Sequence, residues 1–233
     1  MGQALMKAFS DQLSALSGKK VKVIACRTIG EEIEKILPPT YDYQALEFGL
    51  HEKPEKLNKV LQEIINQEKM ADVILLGYGL CCKGTIGLSS RSKLVIPHVH
   101  DCIGIFMGSQ RRYKGEFYRE PGTYYVTKGW IEHGGDPYKE YLKLREMYDD
   151  EKALWLATKM IEHYSRLVFI NTGDYQLERY RAYARLVAEK FSLRFEEIKG
   201  SDSLIKKMLA GIWDEEFIVV EPGEKVEYGM FGM

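Results

Sequence analysis

Val73-Ile74-Leu75-Leu76-Gly77-Tyr78-Gly79-Leu80-Cys81-Cys82 decides the fold of this chain. Its apolar run is too short for a helix, is closed by glycines, and reads as a strand buried on both faces. The pattern recurs on either side. Val21-Lys22-Val23-Ile24-Ala25 ends at Cys26, and Leu94-Val95-Ile96-Pro97 leads through His98, His100 and Asp101 to Cys102. Doubly buried strands belong to parallel sheets, whose crossover connections cover them with helices.

Outward from these runs, helix and strand patterns alternate. An amphipathic opening (Leu5, Phe9, Leu13, Leu16) passes through Ser17-Gly18 into a strand at 20–26. A helix at 29–37 is stopped by Pro38-Pro39, and a strand follows at 43–48. Pro54 opens the next helix, where its missing N–H costs nothing, and Leu57, Val60, Leu61, Ile64 and Ile65 repeat at helical spacing. Residues 108–135 are irregular, with Tyr124-Tyr125-Val126 as an extra strand, and helical patterns cover 137–147 and 151–164. Strand 167–171, helix 176–190, strand 194–198, helix 202–211 and strand 217–220 complete the chain. The expected class is α/β: two Rossmann-like (flavodoxin-like) lobes with mostly parallel sheets and helices on both faces. The expected boundaries are 18–128 for a cysteine-bearing lobe, 129–164 for connecting helices and 165–222 for the second lobe.

The totals narrow the functional classes. The formal net charge of −1 gives no footprint for nucleic acid or an anionic membrane. No apolar stretch approaches the roughly 20 residues of a membrane span. The N-terminus lacks a secretory pattern, so the expected setting is cytoplasmic, where thiols stay reduced.

In that compartment clustered cysteines read first as metal ligands, catalytic groups or packing. All four cysteines lie within the first 102 residues, each after a strand-like run. If the three strands are neighbours, their carboxyl ends share the edge where open α/β sheets place ligands. His100-Asp101-Cys102 is a His-x-Cys step, which in extended backbone presents both side chains to one face. Cys26, Cys81 and Cys102, with His100 as a fourth, form a candidate set for zinc or for an iron–sulfur cluster with one open iron. Asp101 could orient an imidazole or cap a helix starting near Cys102. Each cysteine taken alone also reads as a small apolar filler.

Gly77-Tyr78-Gly79 matches neither the dinucleotide fingerprint nor a P-loop, and more simply lets backbone approach beside Cys81. Ser109 and Arg111 are candidates for holding an anionic substrate group. Glu132 and His133, beyond an aromatic stretch, are candidate acid–base groups. Asn171 and Thr172 occupy a switch-point position after the second lobe's first strand and are candidate substrate contacts.

Tyr78-Gly79-Leu80-Cys81, Gly87-Leu88, Pro97, His100-Asp101-Cys102-Ile103, Gly108-Ser109, Pro121-Gly122-Thr123 and Gly129-Trp130 together resemble the family called domain of unknown function 1638. The resemblance covers roughly residues 20–222. It implies cysteines at the positions of Cys26, Cys81 and Cys102, while Cys82 stands where the pattern has glycine. It also implies a setting in anaerobic one-carbon or methyl-group metabolism, beside corrinoid-dependent methyltransferases. The expected function is therefore a metal-thiolate protein that binds or transforms a small anionic substrate. Two alternatives stay open: an accessory protein carrying metal or corrinoid for a partner methyltransferase, and a metal-free small-molecule binder.

Overall fold

The structure, a computed structural model, describes residues 16–173 and 176–232, without the side chains of His51, Glu52 and Cys82. The amphipathic opening at Leu5–Leu13 lies outside the described residues. The elements run β1 (Val21–Cys26), α1 (Arg27–Glu34), β2 (Asp42–Leu46), α2 (Pro54–Gln67), β3 (Val73–Gly77), β4 (Lys93–Pro97), α3 (Cys102–Met107) and α4 (Gln110–Arg119). They continue as β5 (Thr123–Val126), α5 (Lys128–His133), α6 (Pro137–Leu144), α7 (Asp150–Met160), β6 (Arg166–Asn171), α8 (Leu177–Lys190), β7 (Arg194–Lys199), α9 (Ser203–Ala210) and β8 (Phe217–Val220). The chain is mixed α/β and its sheets are mostly parallel.

The chain divides into two compact units, one made of residues up to Arg112 plus Ser201 onward, the other of Tyr113–Gly200. In the first, five strands take the order β2-β1-β3-β4-β8. The first four are parallel and β8 runs antiparallel on β4. Residues two apart share a face, so Ile24 and Cys26, Ile74, Leu76 and Tyr78, and Leu94 and Ile96 point to one side. There they pack with Leu57, Leu61 and Ile65 of α2 in one buried cluster that also holds Leu80 and Cys81. Gly77 lies on the opposite face, where a Cβ would come 2.6 Å from that of Ala25. That contact explains glycine at the end of an otherwise branched strand.

The connection from β3 to β4 contains no α-helix. Cys81–Lys83 makes a single 3-10 turn, and Gly87 then adopts φ of 82°, which ends any helical course. Asn58 of α2 holds the loop by donating to the carbonyls of Gly84 at 3.1 Å and Ile86 at 2.7 Å.

In the second unit, β5-β6-β7 form a parallel sheet. Leu167 and Phe169 of β6 pack with Tyr180, Ala184 and Val187 of α8 and with Ala153 and Ala157 of α7. Arg166, wholly buried, donates to Thr123 Oγ1 at 2.9 Å and to Glu196 at 2.8 Å, with Glu116 and Glu120 at 3.5 and 3.4 Å. Strand pairing therefore divides the chain differently from the sequence-based boundaries of 18–128 and 165–222. β5 joins the second sheet through β6, and β8 returns to the first sheet to close the edge of β4. A single sequence carries no signal for which sheet an isolated apolar run will enter.

Candidate functional site

The strands that end at or before the cysteines lie side by side: β1, β3 and β4 are consecutive and parallel. Cys26 is the last residue of β1 and the N-cap of α1. Cys81 follows β3 by four residues, and Cys102 is the first residue of α3. All three are buried. The carboxyl edge of this sheet thus carries three thiols from segments far apart in sequence.

Each is positioned by local bonds. The Thr28 hydroxyl donates to Cys26 Sγ at 3.2 Å. Across the edge, Leu80 N–H donates to the Val99 carbonyl at 2.9 Å and Cys81 N–H to the His100 carbonyl at 3.0 Å. That approach needs Gly79, since a Cβ there would stand 2.5 Å from the Val99 oxygen. The buried Thr85 hydroxyl donates to the Gly79 carbonyl at 3.0 Å and fixes the same turn from inside. Cys81 and Lys83 have φ of 45° and 72°, a left-handed backbone that non-glycine residues enter at a cost. Such strain persists only where surrounding bonds enforce it, and it concentrates at functional sites.

Electrostatically, the thiols act on one another. Burial pushes Cys26 above the ordinary thiol range, partly offset by the Thr28 hydrogen bond. Burial also pushes Cys102 well up, and charge on Asp101, Cys81 or Cys26 would raise it further. Buried Tyr78 is driven up by burial and then by Cys26 and Cys81. Without a cation the Cys26 and Cys102 thiols keep their protons and are poor nucleophiles. A bound metal favours deprotonated thiolate and offsets the repulsion between them. Soft, buried sulfur donors suit zinc or an iron–sulfur cluster, but the Sγ atoms of Cys26, Cys81 and Cys102 do not all lie within 4.8 Å of one another, so they do not form a closed single-ion site as they stand.

His100 is placed differently from the sequence expectation. Residues 98–101 bend instead of extending, so the His-x-Cys step does not present two side chains by strand alternation. Its side chain is 51% exposed, with Nδ1 3.4 Å from Asp101 Oδ2. The Asp101 hydrogen bond raises its pKa, partly offset by burial. A carboxylate on one ring nitrogen orients the other for ligation, which keeps Nε2 as the donor on offer. Asp101 fills both roles read from sequence, since its Oδ1 also accepts from Ile103 N–H at 2.9 Å as the N-cap of α3. His98 is structural: its ring nitrogens lie 3.1 Å from the Glu215 carbonyl and 2.8 Å from that of Phe231.

Ser109 and Arg111 follow α3, whose six residues span roughly 9 Å from the Cys102 end. Arg111 is exposed, whereas Arg112 donates to the Met107 carbonyl at 3.3 Å. In the second unit Asn171 ends β6 and is engaged in structure, donating to Glu197 at 2.9 Å and accepting from Gly173 N–H at 2.8 Å. Thr172 follows it at the same strand end. On α5, Glu132 accepts a short hydrogen bond from the Tyr180 hydroxyl, and His133 Nε2 lies 4.0 Å from its other oxygen.

Two participants escaped the sequence reading. Thr28 sits in a Cys-x-Thr step that was open to inspection. Tyr180 lies on a helix whose charges suggest only a solvated face, and its partner is 48 residues away.

The family model described as protein of unknown function (DUF1638) matches residues 45–209, well over half of the chain, and it is the family the motif string resembles. Cys81 and Cys102 fall inside the match and Cys26 outside it. Neither a curated protein nor a solved structure matches the chain. No helix among the described residues is long and apolar enough to cross a membrane.

Proposed function

We propose a metal-binding function for this chain, which belongs to the DUF1638 family of proteins of unknown function. Cys26, Cys81 and Cys102 hold a zinc ion or an iron–sulfur cluster, and His100 is the candidate fourth ligand. The observation that supports this reading is that three adjacent parallel strands each lead to a buried cysteine at the same sheet edge, one of them in a strained backbone. Three thiolates leave one coordination position, which His100 fills at rest and yields to an exchangeable substrate. When bound, the group would supply Lewis acidity to a thiol or oxygen of a small substrate. The chain's own residues place that substrate. Arg111 offers an exposed guanidinium to an anionic end, and Ser109 offers a hydroxyl. The substrate class is a small anion of one-carbon or methyl-group metabolism, following the resemblance.

The test is anaerobic purification of single variants with metal and sulfide analysis. Cys26→Ser, Cys81→Ser and Cys102→Ser should each lose the bound metal, His100→Gln should weaken its retention, and Cys82→Ser should leave it unchanged. Equal behaviour of all four cysteine variants would overturn the ligand assignment.

A further inference from the structure

Within Tyr113–Gly200, α5, α6 and α8 enclose a cleft of about 640 Å³, a size suited to a small molecule. Ile131, Glu132, Lys139, Arg179, Tyr180 and Leu186 line it. Lys139 is committed to the wall, since its ammonium donates to the carbonyls of Ile131 and Gly134 and closes the end of α5. Two opposite charges remain at the cleft. Arg179 is exposed, donates to Gln176 at 3.2 Å and packs over the Tyr180 ring at 5.8 Å. Glu132 takes one hydrogen bond from the Tyr180 hydroxyl. Burial and then Glu132 raise Tyr180 to about 12, so the phenol keeps its proton. Arg179 and Glu132 thus flank one aromatic ring, with His133 Nε2 4.0 Å from Glu132 and the Lys128 ammonium 5.7 Å from the ring centre. Beside them Leu186 is 45% exposed, an apolar side chain that lines the cleft.

We propose that this cleft binds a small zwitterion of the α-amino acid type with an aliphatic side chain. Its carboxylate meets Arg179, its ammonium meets Glu132, and its side chain covers Leu186 and Ile131. A separated pair of opposite charges beside an apolar wall complements such a ligand and no simple anion. The proposal stands apart from the thiol centre and needs no metal.

The test titrates the full chain by calorimetry with three probes: L-leucine, 4-methylpentanoate, which lacks the amine, and 3-methylbutylamine, which lacks the carboxylate. Leucine should bind, and each truncated probe should bind at least about tenfold more weakly, the usual cost of a lost charge-assisted hydrogen bond. Arg179→Leu should weaken leucine and 4-methylpentanoate alike, leaving the amine unaffected. Glu132→Gln, which still accepts from Tyr180, should weaken leucine and the amine but not the acid. Absence of leucine binding up to about 10 mM, or binding that both variants leave unchanged, would overturn the proposal. So would a 4-methylpentanoate affinity equal to that of leucine.

Discussion

The Cys81 amide donates to the His100 carbonyl at 3.0 Å while Cys81 holds a φ of 45°. This bond ties the segment after β3 to the segment after β4 and aims one thiol of the candidate centre. The strain and the bond belong together. A left-handed cysteine would relax to an ordinary conformation were its amide not held, so the thiol's position depends on backbone supports around it.

Cys81→Gly and Cys81→Ala both remove the thiol, but only glycine relieves the backbone. The glycine variant should be more stable than the alanine variant by about 1 kcal/mol, the usual difference for a residue in the left-handed region. Denaturant unfolding of the metal-free proteins measures this. Equal stabilities would show that the turn is unstrained.

Gly79→Ala places a methyl group against the Val99 carbonyl, which the backbone bond at Leu80 holds at 2.9 Å. Overpacking of this kind costs about 1–3 kcal/mol. The expected outcome is a lower melting temperature together with weaker metal retention, because the same movement displaces Cys81. A variant with unchanged stability and metal content would mean that the two segments are not in contact.

Asn58→Ala removes the donor to Gly84 and Ile86 from outside the thiol set. Loss of the two hydrogen bonds should cost about 1–3 kcal/mol. It should also speed loss of metal to a chelator. Asn58→Asp keeps the size but offers no amide donor, and should behave like the alanine variant.

The Arg166 cluster makes the second unit sensitive to acid. Burial alone would raise the pKa of Glu196, but its hydrogen bond to Arg166 and the charges of Arg166, Arg194 and Arg119 outweigh that and lower it. A depressed carboxylate stabilises the fold fully above the ordinary glutamate value near about 4.3, and that contribution is lost as pH falls through the lower native value. Thermal unfolding of the full chain should therefore lose stability below about pH 4.3. Arg166→Met should be less stable at neutral pH and should show a flatter acid limb. A variant with the same acid slope would assign the loss to other groups.

The sheet around Val73–Leu76 was legible because doubly buried strands are compact apolar runs, and their carboxyl ends could be read directly as Cys26 and the segments leading to Cys81 and Cys102. Their adjacency depended on a strand order that local pattern does not encode. The destinations of β5 and β8 were hidden for the same reason, as each could pair with either sheet. Strand alternation stops at Pro97, so it does not set the direction of His100, which follows where the chain bends. Tyr180 escaped notice because its bond to Glu132 is set by packing of α8 on α5, which no spacing records.

X-ray absorption at the metal edge of anaerobically purified protein tests the central claim most directly, because it counts the sulfur atoms on the metal. For zinc the account predicts three sulfur neighbours at about 2.3 Å and one lighter ligand. For a cluster it predicts sulfide bridges with thiolate on three of the irons. Protein that carries no metal, or a metal surrounded by oxygen and nitrogen alone, would contradict it and leave Cys26, Cys81 and Cys102 as packing.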